Sequence, residues 1–186
     1  MEHPGTQRIE TDRLILRPFA VTDAGAMFGN WAHDPEVTKY LTWPPHADLS
    51  VTEALLRMWV ERYQQPDNYN WVLALRENDE AIGSLAVVSI REHGPVRAAT
   101  LGYCMGRAWW GRGLMPEAGR AVLAYLFDQA GFTKVNAQHD VNNPKSGRVM
   151  EKMGMTRVGI FRREGVNNQG LSDVVWYEML ADDPRP

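Results

Sequence analysis

Gly102-Tyr103-Cys104-Met105-Gly106-Arg107-Ala108-Trp109-Trp110-Gly111-Arg112-Gly113-Leu114-Met115-Pro116-Glu117-Ala118 is the stretch that sets the reading of this chain. An extended segment ends, Gly111 and Gly113 allow a tight backbone turn, and a helix follows. The helix is marked by Met115, Ala118, Val122, Leu126 and Ala130 at helical spacing, with Gly131 as its stop. Backbone amides in such a turn, together with the positive end of the helix, suit a phosphate or pyrophosphate. Arg107 and Arg112 stand ready for charge-assisted contacts. No Gly-Lys-Ser/Thr follows, so this is not a Walker loop, and the Gly-x-Gly-x-x-Gly dinucleotide pattern is absent. Taken alone, the turn is equally compatible with glycines that serve geometry only.

Outward from this turn the pattern is mixed. Upstream, Arg13–Pro18 reads as a strand stopped by proline, and Thr22-Asp23 as a helix N-cap before Ala24–Trp31. Asp34-Pro35 opens a short helix through Tyr40, and Thr42–His46 is a proline-rich loop. Ser50 and Glu53 read as a capping box for a helix to about Gln65. Asn70–Arg76 and Ala81–Arg91 form a hairpin signal around Glu77–Glu80, and Val96–Met105 is the next strand. Downstream lie a strand at Lys134–Asp140, a helix from Pro144 to Gly154, and strands Arg157–Arg163 and Asp173–Met179 joined by a polar loop at Val166–Leu171. A β–α–β unit must set Val96–Met105 and Lys134–Asp140 parallel with a right-handed crossover. The expectation is an α/β fold: a mixed, mostly antiparallel twisted sheet with a central parallel unit and helices on both faces. No repeat or low-complexity stretch interrupts it.

The chain has 186 residues, which fits one domain over 8–180 with short tails at 1–7 and 181–186. Hydrophobic residues make up 44% and charged residues 23%, an ordinary balance for a chain with its own core. The single cysteine, Cys104, excludes an internal disulfide and a thiolate metal cluster, so no metal is expected. No apolar run approaches the ~18 residues of a membrane helix, and Met1–Gly5 lacks a signal-peptide pattern. These readings point to a cytoplasmic chain with no membrane partner. A net charge of −3 with mixed signs argues against nucleic acid, which calls for a basic face.

Four segments in order resemble the GNAT superfamily of N-acetyltransferases, and within it the RimJ/RimL-like branch that acts on ribosomal proteins. Glu10–Pro18 is similar to that branch's opening strand. Tyr103 with Trp109-Trp110-Gly111-Arg112-Gly113-Leu114-Met115-Pro116-Glu117-Ala118 is similar to its acetyl-CoA loop and helix. Asn143-Pro144-Lys145-Ser146 is similar to its Asn-x-x-Ser motif, and Arg148–Met155 to the helix and turn that follow. The resemblance covers roughly residues 8 to 180. Met115 stands where glycine or alanine is usual and Met155 where phenylalanine is usual. Ala99 and Thr100 stand where a glutamate often precedes the Gly-Tyr pair, so that strand supplies no base.

The resemblance implies acetyl-CoA as co-substrate and a primary amine as acceptor, joined by direct attack in a ternary complex. It implies that Tyr103, Cys104, Met105, the loop Trp110, Gly111, Arg112, Gly113, Leu114 and Met115, and Asn143 and Ser146 touch the cofactor. The strand at Leu101–Met105 splays from Lys134–Asp140 to admit the pantetheine arm. A backbone N–H near Cys104 or Met105 polarises the carbonyl, and Ser146 protonates the departing thiolate. Asn143 and Ser146 also have a simpler reading as caps of the helix opening at Pro144. Asp140 and Glu164 are candidate bases beside His139 and a water chain. Alternation puts His139 and Asp140 on opposite faces. A covalent role for Cys104 lacks a paired histidine. Trp31, Tyr40, Trp43 and His46 line one side of the implied acceptor pocket, which Val166–Leu171 closes. The acceptor itself stays open between a protein N-terminal amine and a small-molecule amine, and the assembly between a monomer and a homodimer. A non-catalytic acetyl-CoA-binding module of the same fold is the competing reading.

Overall fold

The computed structural model describes residues 3–186; Met1 and Glu2, the outer part of the expected 1–7 tail, lie outside the described residues. A single eight-stranded sheet runs β1-β2-β3-β4-β5-β6-β8-β7. Its strands are β1 (Ile9–Glu10), β2 (Leu14–Arg17), β3 (Asn70–Leu75), β4 (Ala81–His93), β5 (Val96–Met105), β6 (Lys134–Asp140), β7 (Thr156–Asn167) and β8 (Gly170–Leu180). Every neighbouring pair is antiparallel except β5 and β6, which are parallel and bridged by the helix that follows the glycine turn. The expected fold class is the observed one.

Helices occupy both faces. α4 (Leu114–Asp128) and α5 (Pro144–Lys152) pack on one face over the main core. Its centre holds the side chains that the helical spacing singles out: Ala118, Val122 and Leu126 are all fully buried. The opposite face carries α1 (Ala24–Met27), α2 (Pro35–Thr38) and α3 (Leu49–Arg62), which close a second cluster around Trp31, Leu56 and Val72. α1 runs straight into one turn of π-helix at Phe28–Ala32, closed by the His33 N–H donating to the Phe28 carbonyl.

Three local expectations differ from what is observed. The cap of α3 is Asp48, whose carboxylate accepts from the N–H groups of Ser50 and Val51; Ser50 lies inside the helix and donates its hydroxyl to Asp48. Aspartate outcompetes serine here because a charged acceptor also answers the positive end of the helix. The last two strands extend to Asn167 and Gly170, so Val166–Leu171 is a hairpin tip rather than a loose loop. The described part of the N-terminal tail is docked. Tyr125 Oη donates to the Gly5 carbonyl at 2.6 Å, Trp71 Nε1 donates to the Gln7 carbonyl at 2.7 Å, and His3 meets the Tyr69 hydroxyl at 2.9 Å. Buried tyrosines and tryptophans seek a partner for their polar ends, and the tail supplies the carbonyls.

Replacing Asp48 with alanine should lower the urea midpoint, and Ser50→Ala should lower it clearly less. Equal losses would return the cap to Ser50.

Candidate functional site

The site starts where a strand pair comes apart. β5 and β6 are in register from Ala98↔Lys134 to Leu101↔Ala137, and there the pairing ends. β5 continues to Met105 held only by β4, and β6 continues to Asp140 held only by β8. The inner edges of Gly102–Met105 and Gln138–Asp140 therefore face a gap, with peptide groups that another chain-like molecule can satisfy. Two of these carbonyls have partners within the protein: Trp110 Nε1 donates to the Met105 carbonyl at 2.6 Å, and the Asn143 N–H donates to the Asp140 carbonyl at 2.8 Å.

The glycine turn sits at the mouth of this gap. Gly111 and Gly113 have φ of 76° and 75°, the left-handed region in which a side chain is strained. A Cβ on Gly111 would meet nothing within 4 Å, and one on Gly113 only the Arg13 guanidinium at 3.7 Å. The glycines thus serve conformation and leave the amides open. Leu114 and Met115 are buried in the core, so at both positions only backbone is presented, and the larger Met115 side chain finds its room there. The turn is braced from behind. Arg13 donates to the Arg112 carbonyl at 2.9 Å and pairs with Glu117, which also accepts from Thr11 Oγ1 at 2.6 Å and the Arg13 N–H at 3.0 Å. Burial alone would raise the Glu117 pKa, but these donors outweigh it and hold the carboxyl below its ordinary range.

Of the two arginines expected here, Arg112 lines a hollow beside the turn with Asp12, Arg13, Arg76 and Glu77. Arg107 turns to the helical layer and pairs with Asp34. Lys145, which the sequence reading passed over, supplies the second cation: its Nζ stands 5.0 Å over the Trp110 ring, tying the first turn of α5 to the loop. Its signal was its place two residues after Asn143 in the Asn-x-x-Ser motif.

Tyr103 crosses from β5 to α5. Its hydroxyl lies 3.0 Å from the Ser146 carbonyl and 2.8 Å from Ser146 Oγ. Burial raises the phenol's pKa far above the physiological range, and the Ser146 contact opposes this only in part, so Tyr103 stays protonated as a donor. Asn143 occupies the N-cap of α5, yet its side chain makes no capping bond, and Ser146 Oγ turns to Tyr103. Both side chains are thereby free of the capping role that was the simpler reading. Cys104 lies on the opposite face, against Ser84 Oγ at 3.3 Å, and burial pushes its thiol up to about 11.

His139 and Asp140 point to opposite faces, as alternation requires. His139 is buried beneath α5, where a Cβ on Gly147 would stand 2.6 Å from its Nε2. The Asp140 carboxylate accepts from the Asn142 N–H at 2.8 Å, Asn142 Nδ2 at 3.0 Å and Asn167 Nδ2 at 2.8 Å. Burial works against its charge, but these donors win and keep it below the usual carboxylate range. Glu164 is exposed on β7 with no polar partner among the described residues.

On the acceptor side the hairpin tip closes onto the proline-rich loop. Asn168 Nδ2 donates to the carbonyls of Thr38 at 2.8 Å and Trp43 at 2.7 Å, and its N–H donates to the Leu41 carbonyl at 3.1 Å. Tyr40 and Trp43 are partly exposed along this wall. Trp31 is fully buried behind it, and His46 is buried with Nδ1 2.7 Å from Thr52 Oγ1. Burial pushes the His46 pKa down. These two residues support the wall from within.

Sheet order, splayed parallel pair, glycine turn and Asn-x-x-Ser helix together define an acyl-CoA-dependent transferase. Comparison with known proteins agrees: the Acetyltransferase (GNAT) domain family matches residues 13–156, and the chain belongs to that family, as an N-acetyltransferase. It is 27% identical over 175 residues to the uncharacterized N-acetyltransferase p20 of Bacillus licheniformis, covering 94% of this chain and 96% of that protein. It is 29% identical over 157 residues to the [ribosomal protein uS5]-alanine N-acetyltransferase of Escherichia coli K12, covering 82% and 79%. The fold of the microcin C7 self-immunity acetyltransferase MccE, solved with acetyl-CoA and AMP, superposes with a TM-score of 0.80 at 17% identity, covering 91% of this chain and 93% of that one. These relatives support the RimJ/RimL-like branch. GNAT acetyltransferases use acetyl-CoA. No helix among the described residues is long and apolar enough to cross a membrane.

Glu117 has a depressed folded-state pKa, so its stabilising contribution is full above the ordinary value of about 4.3 and disappears as pH falls through the lower folded value. Glu117→Gln should be less stable than the parent at pH 7 and converge on it in acid. A difference that persists unchanged to about pH 2 would show the Arg13 brace to be neutral in charge terms.

Proposed function

We propose that this chain moves the acetyl group of acetyl-CoA directly to a primary amine, from a peptide N-terminus or a small molecule, while both substrates are bound. The observation that carries the reading is the Tyr103–Ser146 pair, 2.8 Å apart, beside the open edges of β5 and β6 and next to the glycine turn. Acetyl-CoA supplies an activated acyl carbonyl and a thiolate leaving group.

The chain's own residues account for the remainder. Amides of Trp110–Met115, with Arg112 and Lys145, hold the pyrophosphate. The open edges of Gly102–Met105 and Gln138–Asp140 take the pantetheine arm as a strand takes a neighbour, and the Asn143 amide adds a side-chain contact. A backbone N–H near Cys104 or Met105 donates to the carbonyl oxygen as negative charge builds there. The amine nitrogen bonds to the carbonyl carbon as the carbon–sulfur bond breaks, and Ser146 Oγ gives its proton to the sulfur. Tyr103, whose hydroxyl donates to the Ser146 carbonyl and lies 2.8 Å from Oγ, holds the serine in place for the transfer. Asp140, held ionised by its donors, serves as a fixed charge that orders the acceptor wall. The amine proton leaves through water, with Glu164 as the only other carboxylate of the candidate set.

Acetyl-CoA at about 100 times its Kd should stabilise the fold by about 2.7 kcal/mol, seen as a raised Tm, and ATP should give a much smaller shift. Gly113→Glu should abolish the acetyl-CoA shift; a folded variant that still binds would refute the loop assignment. Ser146→Ala should lower kcat by about 100-fold while KM for acetyl-CoA changes little. Thiol release with a pooled panel of N-terminal peptides, amino acids, polyamines and aminoglycosides tests the reading directly. Acceptor-dependent release supports a transferase; binding without release from any amine would favour a non-catalytic acetyl-CoA-binding module.

A further inference from the structure

The sheet face that carries α1–α3 is left open beyond β5, and there a cleft of about 450 Å³ lies outside the transfer machinery. Its floor is Thr100 on β5, Asn136 on β6 and Trp176 on β8, and Val158 and Phe161 of β7 form one wall. Phe161 stacks edge-on against Trp176 with centroids 5.8 Å apart. A bulge shapes the other wall. Register passes from Val87↔Leu101 to Ser89↔Thr100, which puts Val88 and Ser89 on the same face. Val88 is 66% exposed and lies over Gly102, where a Cβ would stand 2.8 Å from its Cγ1.

Three features mark the cleft as a place for a ligand rather than bare surface. First, its polar groups are unspent. The side chains of Thr100 and Asn136 make no hydrogen bond among the described residues, and Trp176 Nε1 is buried without a partner. Apolar walls at Val158, Phe161 and the Trp176 ring, with a few polar groups between them, are the composition of a binding site. Second, its charge is one-signed. Lys134 is cancelled by Glu178, while Arg91 is exposed with no ion pair among the described residues. Third, the floor of the cleft ends one rung short of the transfer site. Thr100↔Asn136 is the rung before the last, and the gap between β5 and β6 opens beyond Leu101↔Ala137. Arg91 pairs with Ala98, four residues before Gly102 on β5, which is about 13 Å at 3.3 Å per residue.

We propose that this cleft is the subsite for the acceptor's body, and that it takes an extended peptide whose N-terminal amine reaches the β5–β6 gap, whose third residue is apolar against Trp176 and Phe161, and whose fourth is acidic toward Arg91. The proposal rests on the transferase reading above and narrows its acceptor.

Three probes test it: Ala-Ala-Phe-Glu amide, Ala-Ala-Phe-Lys amide and alanine amide. The protein should acetylate the Glu peptide with a kcat/KM about tenfold above the Lys peptide. Arg91→Glu should reverse that order, and kcat/KM for alanine amide should stay unchanged. Arg91 is exposed near the end of β4, so the reversal does not depend on the core. Phe161→Ala should lower kcat/KM for the Glu peptide about tenfold with alanine amide again unaffected. Binding is read separately from turnover by the indole N–H resonance of Trp176, assigned with Trp176→Phe, which should shift on titration with the Glu peptide. Equal rates for the two peptides, an order untouched by Arg91→Glu, or a Trp176 signal unmoved at saturating peptide would each overturn the subsite. If alanine amide is acetylated as well as either peptide, the transferase stands and the subsite falls. If no probe is turned over but the Trp176 signal shifts with the Glu peptide only, the subsite stands and the transferase reading fails. A change in sedimentation for Arg91→Glu or Phe161→Ala, with peptide preference intact, would make this face a contact between two copies and overturn the proposal.

Discussion

The separation of two parallel strands governs this molecule. Parallel pairing of β5 and β6 lasts from Ala98↔Lys134 to Leu101↔Ala137 and then stops, while each strand keeps its outer partner. Backbone groups that lose a neighbour inside a sheet must find another partner. That need makes the gap receptive to a ligand with amides of its own, and it fixes where the reacting atoms have to meet. The glycine turn lies directly after β5 and opens α4, so whatever lies in the gap finds its anionic end at a helix N-terminus. Tyr103 on one side and Ser146 on the other span the divergence and set a hydroxyl next to it.

The surrounding structure works mainly to keep this arrangement rigid. Arg13 and Glu117 join the opening strand to the Arg112 carbonyl and the first turn of α4. The aromatic group of Tyr69, Trp71, Tyr125 and Phe132 anchors the far end of the core and draws residues 3–7 onto it. On the acceptor side, Asn167 and Asn168 use adjacent side chains to tie the last hairpin to Asp140 and to the loop at Thr38–Trp43. A site built on such supports holds its geometry before the substrates arrive, which is where much of the rate advantage of an acyl transfer originates.

Much of this was legible in the chain. Periodicity set the buried face of α4; proline and glycine marked its start and end. The order of strands and helices forced one parallel pair. The resemblance placed the loop and the Asn-x-x-Ser helix. The chain was less readable wherever two distant segments choose each other. Ser50 and Asp48 are both good caps, and the charge of Asp48 at the positive end of the helix selects it. Arg107 and Arg112 are alike in sequence, but Asp34 claims the first. Trp31, Trp43 and His46 come from one aromatic-rich stretch, yet two are sealed inside and only Trp43 keeps part of its surface.

Local physics therefore determined the elements, their order, the conformation of the turn at Gly111 and Gly113, and the class of ligand a glycine turn before a helix can hold. These depend on sterics and hydrogen bonding within a few residues, and those are written into the sequence. Tertiary structure alone decided where β5 and β6 part, that Tyr103 meets Ser146, that Lys145 rather than Arg107 stands by the loop, and that an open cleft with Arg91 on its rim has its floor one rung from the gap. Each of these is a contact between residues tens of positions apart. Its formation depends on how whole layers pack, on which charges find partners first, and on which polar groups remain when packing is complete.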